Sequence, residues 1–222
     1  MIKVIYEDNH LLVVEKPVNV LSQGDDTNDI DMVNLLKQYV KEKYNKPGNV
    51  YIGLVHRLDR PVGGVMVFAK TSKAASRLSD QVRTKTLKKT YRAVIHGTMN
   101  KKEDTLKDYL YKDKKTNMVS VVKKDHKEAK NAELSYNTLS AKEKFSLVEI
   151  DLKTGRSHQI RVQFSSRKHP LFGDQRYGKD INKVGQQIAL WSYSLEFVHP
   201  TTKEVLKFVA KPPKEYPWDL FN

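Results

Sequence analysis

A short charged segment, His56-Arg57-Leu58-Asp59-Arg60, is the part of the sequence best suited to chemistry. It follows an apolar run over 50–55 and precedes Pro61 and Gly64, residues that are typical of a loop. Basic side chains surround a single carboxylate, and nearby positive charge favours the ionised form of Asp59. An aspartate of this kind could act as a nucleophile or stabilise developing positive charge. An ordinary surface ion pair is the alternative interpretation of the same pattern.

A second segment, Thr154–Val162, combines polar and basic residues at helical spacing. On a helix, Ser157 and Arg161 would lie on one face, while Ile160 would lie on another. The apolar face could then pack into the core while Arg161 points toward a ligand. The alternative is a solvated basic helix that contacts only phosphates.

A third segment, Lys89-Thr90-Tyr91-Arg92-Ala93, alternates polar and apolar residues as a strand does. Tyr91 and Ala93 would share one face of this strand. A small residue beside an aromatic ring leaves space for a planar ligand. More often, a strand tyrosine is a core residue whose hydroxyl lies at the edge of the core.

The composition indicates a soluble globular protein that binds a polyanion. The chain has 222 residues, with 40 Lys and Arg against 26 Asp and Glu, a net charge of +14 and a pI near 9.6. This charge favours nucleic acid as the partner, although lysines can also serve only to keep a protein soluble. The absence of cysteine excludes disulfides, thiolate zinc sites and cysteine nucleophiles. We find neither a signal peptide nor a membrane-spanning run, and we expect a cytoplasmic protein.

The hydrophobic patterning predicts many strands and few helices, which favours an α+β fold with a mostly antiparallel sheet. Helices are predicted over 31–44, with Asp31 as its N-cap, and over 73–83, with Ser72 as its N-cap. A short amphipathic segment follows over 157–165. The predicted strands cover 2–6, 11–15, 65–70, 90–95, 132–139, 145–153, 188–197 and 204–209.

The Lys-rich segment 99–131 differs from the rest of the chain. It has ten lysines between 101 and 130 against six acidic residues, and few large aliphatic residues. We predict a hairpin or a projecting loop inserted into a single domain of residues 1–222. The segment could contact RNA or could simply be a solvated hairpin.

Together these segments resemble the RluA-type pseudouridine synthases, which isomerise uridine in ribosomal and transfer RNA. The resemblance covers most of the chain. Its opening motif is similar to residues 6–17, its signature around the catalytic aspartate to residues 55–64, and its tyrosine motif to Lys89-x-Tyr91-x-Ala93. Its third block is similar to residues 155–162 and 169–178. The chain begins almost directly at the catalytic core, so we expect no S4-type RNA-binding domain.

This resemblance implies a catalytic role for three residues. Asp59 would be the carboxylate that acts at ribose C1′, either as a nucleophile or electrostatically. Arg161 would be the ion-pair partner that orients Asp59. Tyr91 would stack on the target base or act as a general base. Ile160 or Leu190 would form an apolar wall that excludes water from the ribose.

The resemblance also implies a fold and a partner. The fold would be one pseudouridine-synthase-like α+β domain, with a bent, mostly antiparallel mixed sheet, flanking helices and a central RNA-binding cleft. The partner would be rRNA or tRNA, and we expect no metal, no other cofactor, no membrane and a monomer. Arg57 would replace the flipped uridine in its stack. The other expected RNA contacts are His56, Arg60, Lys89, Arg156, His158 and Gln159.

Two other functions are compatible with parts of the sequence. A noncatalytic RNA-binding protein on the same fold would keep the basic surface, but it would not need Asp59, Tyr91 and Arg161 together. A glycosidase would need a second carboxylate within about 5–10 Å of the first. The segment around Asp59 offers cations instead, so the isomerase is the favoured hypothesis.

Overall fold

The fold is α+β, and the residues that the structure describes form three α-helices and strands that pair mostly antiparallel, in agreement with the predicted α+β class. The structure is a computed structural model that describes residues 2–27 and 29–221. The described chain divides into two compact units. Unit 1 comprises the residues up to Lys88 together with Ser192–Lys211, and unit 2 comprises Lys89–Trp191 with the residues from Pro212 onward. Within the described ranges, no helix is both long and apolar enough to cross a membrane.

Unit 1 is built on a sheet whose strands follow the order β1-β2-β4-β10. The short strand β3 also pairs with β4, and β11 pairs with β10. The pairs β1–β2, β2–β4, β3–β4 and β10–β11 are antiparallel, and β2 and β4 are buried along nearly their whole length. The strands are β1 (Lys3–Glu7), β2 (Leu11–Lys16), β3 (Gly53–Leu54), β4 (Gly63–Ala69), β10 (Leu190–Val198) and β11 (Val205–Val209).

Two helices cover this sheet. Helix α1 (Met32–Lys43) begins at Asp31, whose carboxylate accepts a hydrogen bond from the Asn34 amide, as predicted. Helix α2 (Ser72–Arg83) was predicted to start from a Ser72 cap, and this was wrong. Thr71 has the extended backbone that an N-cap needs, and its hydroxyl accepts a hydrogen bond from the Ala74 amide.

One carboxylate fastens α1 to the strands. The Glu7 side chain, which is only 7% exposed, accepts hydrogen bonds from the hydroxyls of Tyr39 and Tyr44 and from the amino groups of Lys43 and Lys70. Burial opposes ionisation of Glu7, but these four donors outweigh it and lower the pKa of Glu7 to about 2. A residue that reads as part of a polar turn is therefore a cross-link between β1, α1 and the end of β4.

Unit 2 contains the strand order β5-β9-β8-β6-β7, antiparallel at every pairing. The Lys-rich segment includes β6 and β7, which form a hairpin that we call the β6–β7 hairpin. It is more than a projecting loop, because β6 also pairs with β8 over eight residues. The strands are β5 (Lys88–His96), β6 (Glu103–Lys112), β7 (Val119–Val122), β8 (Lys130–Lys142) and β9 (Phe145–Leu152).

Helix α3 (Gln159–Ser165) packs on the β6–β7 hairpin. Val162 of this helix joins a small core with Leu110, Val119 and Ala132. The preceding residue, His158, has a left-handed backbone with φ of 51° and makes no side-chain capping bond. A single turn of 3-10 helix, Trp218–Phe221, ends the described chain and contacts β8.

Gly64 permits a close approach of β4 to β10 in unit 1. Its φ is +118°, and a Cβ atom at this position would lie 2.2 Å from the Ser192 carbonyl oxygen. Both the backbone conformation and the contact therefore exclude a larger residue.

We predict that Gly64→Ala lowers the free energy of unfolding by about 3 kcal/mol or more, because backbone must move away from the new methyl group. Urea denaturation followed by circular dichroism measures the change. Gly48→Ala is the matched control, since no atom lies within 4 Å of its added Cβ, and its effect should stay below about 1 kcal/mol. Equal stability of the two variants would contradict the close approach.

Candidate active site

Asp59 lies in the loop that joins β3 to β4 in unit 1. Side chains alternate in their exposure along this loop: Arg57 and Arg60 are exposed, Leu58 is buried, and Asp59 is half-buried. The Val62 amide donates to the Asp59 carbonyl oxygen at 2.9 Å, which closes the turn before β4. The loop thus presents a carboxylate between two exposed cations while its apolar residue anchors it.

Two buried side chains hold the residues before Asp59. The Ser22 hydroxyl donates to the Leu58 carbonyl oxygen at 2.8 Å and accepts from the Leu58 amide at 3.0 Å. His56 is only 8% exposed, and its Nε2 accepts a hydrogen bond from the Val67 amide of β4. This bond makes His56 part of the support of the loop, and its predicted contact with RNA stays a prediction.

Lys16 holds the residues after Asp59. It is fully buried, and its Nζ donates to the carbonyl oxygens of Pro17, Arg60 and Val62 at 2.8–3.1 Å. Burial lowers the pKa of Lys16 to about 7, and the neighbouring Asp59 carboxylate acts in the opposite direction. We did not single out Lys16 from the sequence. The available signal was a lysine at the end of an apolar strand, directly before a proline.

Arg161 lies on α3 in unit 2 and forms a buried, two-pronged ion pair with Asp174. Its Nε donates to Asp174 Oδ2 and its Nη2 donates to Asp174 Oδ1, both at 2.8 Å. Burial opposes ionisation of Asp174, but Arg161 and the amides of Tyr177 and Arg176 outweigh it and lower the pKa of Asp174. The pairing of Arg161 with Asp59 stays a prediction. Asp174 lay inside the third sequence block, yet the sequence did not assign it a partner.

Tyr91 lies on β5, opposite Ile150 of β9. It is 6% exposed, and Ala93 on the same strand face is fully buried. A buried tyrosine beside a buried alanine agrees with both earlier interpretations, a core residue and a ring beside a ligand. Its role in chemistry stays a prediction.

The residues around the start of α3 differ in their exposure. Arg156 is exposed, and its Nε donates to the Asn131 carbonyl oxygen. Gln159 is buried, and its amide group bonds the Glu133 carbonyl oxygen, the Thr154 hydroxyl and the Arg156 amide. These hydrogen bonds fix the turn before the helix, and the predicted contact of Gln159 with RNA stays a prediction.

Two further predicted RNA contacts are half-buried, and both predicted wall residues are buried. Burial lowers the pKa of Lys89. His158 Nδ1 lies 2.7 Å from the Tyr177 hydroxyl. Ile160 and Leu190 are each 5% exposed, which suits apolar walls. In the described part of the chain, no three His, Asp or Glu side chains form a group that could hold a metal ion.

The Lys16 contacts generate a direct prediction about the Asp59 loop. Lys16→Met should remove the buried amino group that donates to three carbonyl oxygens and lower the free energy of unfolding by about 2–5 kcal/mol. It should also increase hydrogen exchange at the Val62 amide, because the turn at Asp59 loosens. Lys3→Met is the matched control, since Lys3 is exposed and pairs with Glu15 at the surface. Unchanged exchange at Val62 in a folded Lys16→Met protein would contradict this account of the loop.

Comparison with curated proteins gives several relatives over nearly the whole chain. An uncharacterized RNA pseudouridine synthase of Bacillus subtilis (strain 168), YhcT, is 34% identical over 220 residues, covering 99% of this chain and 70% of the relative. The ribosomal large subunit pseudouridine synthase C of Buchnera aphidicola (subsp. Acyrthosiphon pisum) is 34% identical over 208 residues, covering 89% of this chain and 63% of the relative. The tRNA pseudouridine synthase C of Vibrio cholerae is 28% identical, covering 93% and 89%.

A solved structure has the same fold, and a family model matches most of the chain. Human RNA pseudouridylate synthase domain containing 4 has the same fold, with a TM-score of 0.79 at 23% identity, covering 96% of this chain and 89% of that one. A family model described as RNA pseudouridylate synthase matches residues 10–166, which include Asp59, Tyr91 and Arg161. The chain therefore belongs to the RNA pseudouridylate synthase family of isomerases.

Proposed function

We propose that this protein converts specific uridines of rRNA or tRNA to pseudouridine, with Asp59 acting at ribose C1′. The observation that carries the proposal is the construction of the Asp59 loop. Buried groups hold the backbone on both sides of Asp59, which is itself half-buried and has the exposed residues Arg57 and Arg60 near it in the sequence. Such rigid support is what a catalytic group needs and a surface ion pair does not.

The reaction is an isomerisation, so its balance needs no added reactant. The N1–C1′ bond breaks, and its electron pair leaves with the uracil ring. The ring turns, C5 bonds to C1′, the C5 proton is lost and N1 is protonated. A carboxylate at C1′ serves this sequence either by forming a covalent bond to the ribose or by stabilising its positive charge.

The other proposed catalytic groups would act on the same uridine. Tyr91 would stack on the uracil or remove a proton from the reacting nucleoside. Arg161 would orient the Asp59 carboxylate as its ion-pair partner. Ile160 and Leu190 would keep water from the ribose, where it would otherwise hydrolyse the intermediate.

Exposed cations would bind the RNA itself. Arg57 is the proposed residue that fills the stack when the uridine flips out, since base chemistry requires this exposure of the base. Arg60 and Arg156 are exposed and suited to phosphate contacts. Lys89 and His158 are proposed RNA contacts at half-buried positions, and His56 and Gln159 are proposed RNA contacts at buried positions.

Asp59→Asn tests the catalytic role. The change preserves size but removes the charge and the nucleophilic oxygen, so turnover should fall by about a thousandfold or more. RNA affinity should change little, because phosphate contacts supply most of it. Release of tritium from 5-tritiated uridine in RNA measures turnover, since forming the C5–C1′ bond expels that atom.

Asp80→Asn is the control for this substitution. Asp80 is exposed on α2 and pairs with Arg83 of the same helix, so it makes the same charge change away from the loop. It should release tritium at nearly the wild-type rate. A folded, RNA-binding Asp59→Asn protein that also does so would contradict the proposed role of Asp59. A wild-type protein that binds RNA but releases no tritium would favour the noncatalytic alternative.

The β6–β7 hairpin and the connection to β8 give a second prediction, about RNA affinity. Lys115, Lys123 and Lys124 are exposed there, and their replacement by Gln should weaken RNA binding. Each lost phosphate contact should flatten the slope of log K against log salt by about 0.7–0.9. Filter binding or fluorescence anisotropy across a salt series measures this slope.

An equal change of net charge elsewhere shows whether this effect is local. Replacing Lys37, Lys41 and Lys46 by Gln removes three exposed charges from α1 and the turn that follows it. If RNA follows the hairpin, the first set of changes should flatten the slope more than the second. Equal slopes for the two variants would place the RNA path elsewhere.

A further inference from the structure

Arg161 is surrounded by a network that the proposed chemistry does not yet use. Asp174 binds its guanidinium group, and the ring of Tyr177 lies 5.2 Å from its Cζ atom. The Tyr177 hydroxyl in turn contacts His158 and Val119. All of these residues belong to unit 2, so the network is internal to one compact part of the molecule.

Asp174 determines the direction of the guanidinium group. Its carboxylate, which is fully buried, receives both the Nε and the Nη2 donors of Arg161. Two parallel hydrogen bonds fix the plane of the guanidinium, which one bond or a lysine could not do. The carboxylate is itself held, because Oδ1 also accepts from the amides of Arg176 and Tyr177. The direction of the Nη1 edge of Arg161 is therefore set by the turn at 174–177.

Tyr177 connects that turn to the β6–β7 hairpin. Its hydroxyl accepts a hydrogen bond from the Val119 amide at 3.0 Å and lies 2.7 Å from His158 Nδ1. Because an amide can only donate, the hydroxyl proton is available for His158. The face of the same ring supports the Arg161 cation. A second bond, from Arg176 Nη1 to the Asn117 carbonyl oxygen, ties the turn to the loop between β6 and β7.

We propose that Asp174 and Tyr177 are positioning residues for Arg161, and that Tyr177 makes the position of Arg161 depend on the β6–β7 hairpin. The inference rests on the proposed function in that Arg161 must serve the reaction. It adds a physical route by which the Lys-rich hairpin, a candidate RNA contact, supports the rate of the chemical step as well as RNA affinity.

Tyr177→Phe tests the route while keeping the aromatic ring under Arg161. Loss of the hydroxyl releases the Val119 and His158 contacts, so Arg161 should be less well placed. Single-turnover tritium release at saturating enzyme should fall about tenfold, with RNA affinity unchanged within about twofold.

Tyr136→Phe is the matched control. It removes another tyrosine hydroxyl of unit 2, one that donates to the Lys101 carbonyl oxygen, and Tyr136 also packs on α3 through Phe164. Its turnover should stay within about twofold of wild type.

A double-mutant cycle with Arg161→Lys separates positioning from general loosening. If Tyr177 acts through Arg161, Tyr177→Phe should slow the Arg161→Lys protein by less than about twofold. Equal turnover of Tyr177→Phe and Tyr136→Phe, or the full tenfold loss in the Arg161→Lys background, would overturn the inference. Near wild-type turnover of Arg161→Lys would instead contradict the proposed role of Arg161, which Asp59→Asn does not test.

Discussion

The buried amino group of Lys16 is the constraint on which the proposed active-site loop most depends. Moving a lysine amino group out of water costs free energy. Three hydrogen bonds to carbonyl oxygens and the negative charge of Asp59 offset this cost for Lys16. The carbonyl groups of Arg60 and Val62 can point toward Lys16 because its amino group donates a hydrogen bond to each of them. A residue at the end of β2, more than forty positions earlier in the chain, therefore determines the path of the backbone after Asp59.

The same principle recurs around Arg161 and Glu7. In each case a buried charge is compensated by several hydrogen bonds of fixed geometry, some of them from or to backbone. Removing one partner of such a group leaves the others buried and unpaired, so these groups tolerate few other arrangements. We interpret these buried charges as the groups that fix the backbone geometry, since the hydrophobic cores consist mostly of aliphatic side chains.

The sequence predicted the local structure better than the contacts that make the site. Local sequence patterns predict several elements, because hydrophobic periodicity and capping residues depend on neighbours in the chain. These elements are the Asp31 cap, the buried strands β2 and β4, and α3. Lys16, Ser22 and Asp174 act on residues far along the chain, and no local pattern reveals such a partner. The 99–131 segment was predicted as a hairpin or a projecting loop, because its residues are Lys-rich and few are large and aliphatic; the pairing of β6 with β8 was not foreseen, because it joins residues far apart along the chain. Thr71 and Ser72 are both good caps, and the backbone of Thr71 decides between them.

The isomerisation of uridine in RNA that we propose for this chain depends on Asp59. The most direct measurement is a map of pseudouridine in unmodified rRNA and tRNA transcripts after incubation with the purified protein. Carbodiimide treatment followed by reverse transcription locates each product. The account predicts new pseudouridines at a few defined positions with the wild-type protein and none with Asp59→Asn. The same new pseudouridines with both proteins, or none with a folded wild-type protein that binds these RNAs, would contradict it.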